Sequence, residues 1–155
     1  MKPRRKRSKR ARTIRLWKKT EAFKAVPYLR SIIGSLREHW LEVLTAERQI
    51  DLATQLKKPV KRQQLLEQEK QGDELHRARE KFNDALDELN RLDVFLLEPV
   101  RGLALMPFRK QDDLAWYIVD QFAPSGLIGW RKNDDPIEEC RPLELLDDAA
   151  VGQPA

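Results

Sequence analysis

Cysteine is almost absent from this 155-residue chain: Cys140 stands alone, so no internal disulfide and no multi-cysteine zinc site can be drawn, and a reducing compartment suits it. Glycine is scarce at six residues, and no Gly-rich phosphate loop, nucleophile elbow or metal-protease motif occurs. No cofactor and no metal are therefore expected, and an enzyme is not the first expectation. Aromatics make up only 7% of the chain, and no apolar run approaches the eighteen or so residues that a bilayer span needs. The basic N-terminus leads into no apolar signal region, so a cytoplasmic protein is expected.

Charge is what the chain has in quantity, at 35% of residues, and its distribution is uneven. Of 30 Lys and Arg, eleven lie in residues 1–19 with no acid among them, leaving 19 bases against 25 acids and a net of −6 for the rest. The pI of 9.4 thus describes the leader and licenses no basic face on the body. Residues 1–13 hold almost nothing apolar to offset the entropy of ordering them and are expected to be a disordered tail. Ile14, Leu16 and Trp17 then precede Thr20-Glu21, a helix-start signal that Trp17 would staple.

From Leu29 the apolar residues Leu29, Ile33, Leu36, Trp40, Val43 and Ile50 alternate steps of four and three, with Glu47 in one slot. A helix from Thr20 to Leu56 follows, about 55 Å long at 1.5 Å per residue, with a kink expected at Pro27 and an end at Lys57-Lys58-Pro59. A second helical pattern has Leu75, Phe82, Leu86 and Leu89 as its seam, with Gly72 interrupting its first half. The tip, Leu65 to Gly72, is mostly Gln, Glu and Lys, so the hairpin is expected to be loose there and packed at its base near Leu92.

After Asp93 the period changes. Residues 94–97, 103–106, 114–119 and 127–130 are short β-prone runs, separated by turn signals at Glu98-Pro99, Pro107 to Asp113 and Pro124-Ser125-Gly126. The expected class is α+β: a long antiparallel helical hairpin over 14–92, then a small antiparallel sheet of three to four strands over 93–146. A flexible tail closes the chain at 147–155.

Trp17-x3-Glu21-Ala22-x4-Pro27-x-Leu29, then Leu92-x-Val94, Arg101-Gly102-Leu103, Pro107, Trp116-Tyr117, Gly129-Trp130 and Arg141-Pro142-Leu143, are the residues on which the chain resembles an uncharacterised bacterial family, domain of unknown function 2203. The resemblance covers roughly Trp17 to Leu143 and implies a helical hairpin followed by a small sheet. Where the family has Asp-Phe-Pro and Tyr-Trp-His, this chain has Leu105-Met106-Pro107 and Gly129-Trp130-Arg131. A site built on that His and Asp would here be lost, or rebuilt around Arg131.

The leader is the clearest functional signal. Lys2, Arg4, Arg5, Lys6, Arg7, Lys9, Arg10 and Arg12 can displace counterions from any polyanion, so weak, nonspecific association with nucleic acid or a ribonucleoprotein is expected. No aromatic interleaves residues 1–16 to stack bases, which argues against sequence readout; a solubilising tail or a contact with acidic lipid is the plainer reading. Arg101, Trp116, Trp130, Arg131 and Arg141, with Tyr117, are candidates for a small-anion or metabolite site, conceivably catalytic, between the sheet and the hairpin base; the competing reading is core and cross-strand packing. His39 and His76, with Glu42, Asp73 and Glu80, fall short of a metal ligand set, and Asp112-Asp113 and Asp134-Asp135 sit in turns without a general-acid partner. Self-association as a homodimer through the helical hairpin is a further expectation.

Overall fold

The computed structural model describes residues 13–55 and 61–144. The expected disordered tail over 1–13, except its last residue, the expected stop at Lys57-Lys58-Pro59 and the expected flexible tail at 147–155 lie outside those residues. Among the described residues two helices are followed by a four-stranded antiparallel sheet: α1 (Lys19–Thr54), α2 (Arg62–Arg91), β1 (Phe95–Glu98), β2 (Leu103–Lys110), β3 (Asp113–Asp120) and β4 (Leu127–Lys132), with strands adjacent in the order β1-β2-β3-β4. The expected α+β hairpin and sheet are what the chain forms.

α1 begins one residue ahead of the expected start. Lys18 is the N-cap, and its N–H donates to the Glu21 carboxylate at 3.2 Å, satisfying a donor that the first helical turn leaves open. The helix runs on through the exposed Pro27, whose missing N–H orphans only a carbonyl that water can reach. α2 is likewise unbroken. Gly72 was expected to interrupt it, but the helix passes through Gly72, which is exposed with open space around it; one helical glycine costs about 1 kcal/mol against alanine and thirty residues of helix carry that.

The two helices close on each other along the expected seams. Trp40 and Phe82 pack with ring centroids 5.1 Å apart, Tyr28 Oη donates to Glu88 at 2.7 Å, and Arg79 bridges to Glu47 at 2.9 Å. Burial is concentrated at the base: Leu29, Ile33, Leu36 and Leu89 are fully enclosed, whereas no described side chain beyond Ala46 on α1 or before Ala78 on α2 is buried.

The sheet presents alternate residues to the helices. Ala104, Met106 and Phe108 of β2, Ala115, Tyr117 and Val119 of β3, and Leu127 and Trp130 of β4 join Leu29, Ile33, Leu36 and Leu89 in one core cluster. Phe108 stacks on Tyr117 at 4.0 Å and meets Trp130 edge-on at 6.3 Å. Gly126 takes a left-handed φ of +82°, and a Cβ there would collide with Val26, so the β3–β4 loop can lie directly on α1 only with glycine.

One strand is longer than its sequence suggests. Pro107 was read as opening a turn, yet β2 continues to Lys110 in unbroken register with β3. β1 pairs only with Leu103 to Leu105, so Pro107 meets no strand on that side, where its missing N–H would point. Its carbonyl on that side accepts the N–H of Trp17 at 2.8 Å. Trp17, the leader's single aromatic, thus takes the ladder position beyond β1 and is buried in the core cluster.

Candidate functional site

Four of the candidate residues lie on the β3–β4 side of the sheet. Trp116 on β3 is the register partner of Arg131 on β4, and Trp130 precedes Arg131. A turn after Lys132 swings the chain back so that residue 141 pairs with Trp130 along the free edge of β4, the two backbones exchanging hydrogen bonds of 3.0 and 2.7 Å. Arg101 is not with them. It is exposed in the β1–β2 turn, at the end of the sheet marked by Leu103 opposite Asp120, about 14 Å along the strand from Trp116.

The residue that organises this region is Asp135. Its Oδ2 accepts from Arg141 Nε at 2.8 Å and from the Lys132 N–H at 2.8 Å, and its Oδ1 accepts from Arg141 Nη2 at 2.9 Å. A carboxylate gripped bidentately by a guanidinium and by a backbone N–H is held well below its ordinary pKa, with the Arg141 hydrogen bond the largest cause. Arg141 is correspondingly pushed above its usual value by the same bond. The guanidinium of Arg141 also lies 5.5 Å from the Trp130 ring, whose Nε1 donates to the Pro142 carbonyl at 3.1 Å. The carboxy-terminal segment is in this way buttoned to the sheet edge.

Arg131 is the buried cation of the described residues, with 7% of its surface exposed. One of its terminal nitrogens donates to the Asp135 carbonyl, while its Nε has no hydrogen-bond partner. Burying a guanidinium donor unpaired is costly, so this nitrogen is the one unmet polar group in the cluster. Trp116 turns its Nε1 to Asn133 at 3.0 Å and meets Phe95 edge-on at 5.9 Å. Trp130 and Tyr117 face the helices, so the register pair Trp116 and Arg131 lies on the opposite face of the sheet and not between the sheet and the hairpin base, while Arg141, at the strand edge, is already occupied by Asp135.

Beside this cluster is a cavity of about 460 Å³ lined by Lys110, Lys132, Asn133, Asp113 and Asp134 among others. Sequence reasoning did not single out Lys110 or Lys132. The two are 22 positions apart and share a wall only because β3 lies between their strands. The wall pairs two ammonium groups with two carboxylates, so it has no strong sign of charge, and it holds no nucleophile with an adjacent base. Of the acids read as turn pairs, Asp112 bonds Arg109 at 3.1 Å and Asp135 holds Arg141.

No family model, curated protein or solved structure matches this chain. His39 and His76 are each paired on their own helix, with Glu42 at 3.5 Å and Glu80 at 2.9 Å, and among the described residues no group of three metal-ligating side chains exists. No helix among them is long and apolar enough to cross a membrane. Lys2, Arg4, Arg5, Lys6, Arg7, Lys9, Arg10 and Arg12 lie outside the described residues.

The leader's attachment point is well defined. Arg15 donates its N–H to Asp93 at 2.8 Å, lies 4.0 Å over the Trp17 ring and sits 3.5 Å from Glu21. Asp93 itself adopts φ +58° just past α2, the left-handed position that ends many helices, and from there its side chain reaches the leader. The cationic segment is thus tethered where both helices meet the sheet.

Proposed function

We propose that this protein is a non-enzymatic interaction module, cytoplasmic and bacterial, whose cationic leader associates weakly and nonspecifically with nucleic acid or a ribonucleoprotein. The observation that carries the reading is the segregation of charge: eleven bases and no acid in residues 1–19, against a net of −6 in the remainder. Binding to a polyanion then belongs to the arm, because the body repels phosphate and the arm attracts it. What supports a rigid mount for that arm is the Trp17–Pro107 and Arg15–Asp93 pair of hydrogen bonds at its root. The residues from Trp17 to Leu143 that resemble domain of unknown function 2203 support reading the chain as a divergent relative of that family.

The test is a salt titration of the full chain on a single-stranded RNA of mixed sequence, with and without residues 1–13. Affinity should fall by about 10³-fold between 50 and 200 mM salt for the full chain, and the shortened chain should not bind. Binding that survives in the shortened, acidic body sinks the reading.

A second reading, a small-anion or metabolite site at Arg131, is favoured by the partnerless Nε of that buried guanidinium. It requires Arg131→Lys to abolish thermal stabilisation by an anion such as phosphate. No stabilisation of the parent chain by phosphate, citrate or a nucleotide overturns it.

A further inference from the structure

β4 is the last strand of the sheet, so one of its sides faces no strand, and an open edge of this kind is a template for strand addition. Residues 133–141 meet that edge group by group. The Trp130 N–H and carbonyl exchange bonds with Arg141, the Lys132 N–H donates to the Asp135 carboxylate, and the Lys132 carbonyl accepts the Asp135 N–H at 3.1 Å. The Ile128 carbonyl accepts the Cys140 thiol at 3.8 Å. Gly129 lets the returning chain come this near, because a Cβ there would lie 2.5 Å from the Arg141 carbonyl oxygen and 2.5 Å from Cys140 Sγ.

Little else holds the segment down. Pro136 to Cys140 are exposed, Ile137 at 68%, and among the described residues only residue 141 forms a β-bridge with β4. The other attachments are the Asp135–Arg141 ion pair, the bonds from Arg131 to the Asp135 carbonyl and from Trp130 Nε1 to the Pro142 carbonyl, and the part-buried Leu143. A segment with so few buried contacts opens at a lower free energy than the sheet it borders. Closed, it also leaves Arg131 Nε buried without a partner, a donor that water can meet once the segment lifts. We propose that residues 133–143 are a detachable strap that withholds the β4 edge from strand addition, with the Asp135–Arg141 pair as its latch. The strand it excludes is β4 of a second copy. An antiparallel edge offers its own two-fold mate the alternating donors and acceptors that it lacks, so lifting two straps joins two four-stranded sheets edge to edge.

Two single changes open the strap by different routes, Asp135→Ala by removing the latch and Gly129→Ala by driving a methyl into the strap's backbone. In amide hydrogen exchange on the full chain, both should make the Trp130 and Lys132 amides exchange about tenfold faster, while Arg131, whose N–H turns the other way to β3, keeps its rate. Light scattering at about 100 µM should read a mass above the parent's for either variant, and adding Lys132→Pro, which removes an edge donor but no bond to β3, should bring it back. Gly129→Ala leaves every polar partner of the strap in the chain, so it decides the matter if loss of Asp135 unfolds the protein. In that variant, rates that rise alike at Trp130, Arg131 and Lys132 show that the strap melts only with the sheet and overturn the proposal. Unchanged rates, or a mass that stays the parent's, overturn it too; the leader is intact throughout, so none of these results bears on nucleic-acid binding.

Discussion

The Trp17 N–H donates to the Pro107 carbonyl at 2.8 Å, so the residue that closes the cationic leader occupies the place beside β2 that the short β1 leaves empty. Two local peculiarities explain each other. A proline without an N–H is tolerated in the strand because no strand lies there, and the carbonyl it still offers is satisfied by the leader.

Trp17→Ala should cost about 3–5 kcal/mol, the usual range for emptying a buried aromatic site, read from urea unfolding monitored by far-UV circular dichroism. Trp17→Phe should cost much less. The indole Nε1 of Trp17 is buried without a partner, so the phenyl ring loses volume and sheds an unmet donor at once.

Gly72→Ala should raise stability by about 0.5–1 kcal/mol. The position is exposed inside α2, and a Cβ there meets nothing within 4 Å, so helix propensity acts without opposition. A shift of the urea midpoint with unchanged slope would show it. Gly126→Ala should do the reverse, since it strains a φ of +82° and drives a methyl into Val26.

Asp135 ties acid stability to the edge clasp. Its carboxyl is held far below its usual value by Arg141 and the Lys132 N–H, so its contribution is fully present above the unfolded-state pKa near 4 and fades as pH falls through the folded value. Asp135→Asn should therefore destabilise at pH 7 and flatten the loss of stability between about pH 4 and pH 2. Parallel urea melts across that window check the slope.

Tyr117 acts at the other end of the scale. Burial pushes its hydroxyl up to about 12. The unfolded chain releases that proton near pH 10, so stability falls as pH rises from about 10 towards the folded value. Tyr117→Phe should remove this part of the alkaline loss, seen as a smaller difference between melts at pH 9 and pH 11.

The architecture was legible because two periods change over at Asp93: heptad steps from Leu29 to Leu89 before it, alternation in Ala104-Met106-Phe108 and Ala115-Tyr117-Val119 after it. Pro107 was misread because a sequence does not say which side of a strand faces a partner. Gly72 was misread because local propensity weighs a residue alone, while a helix thirty residues long and packed at its base absorbs the deficit. Trp130, Arg131 and Arg141 stood out as strand aromatics and cations. Asp135 did not, because its role depends on a turn that folds residue 141 back beside β4, a six-residue separation with no helical or strand signature. Lys110 and Lys132 were invisible for a related reason, since only the strand between them makes them neighbours.

α1 is a single rod that begins next to the leader's root at Lys18 and ends at the far tip of the hairpin. The Lys18–Glu21 turn at its start, beside the Arg15–Asp93 bond on which the cationic arm is hung, and Leu52 near its other end therefore belong to one continuous helix.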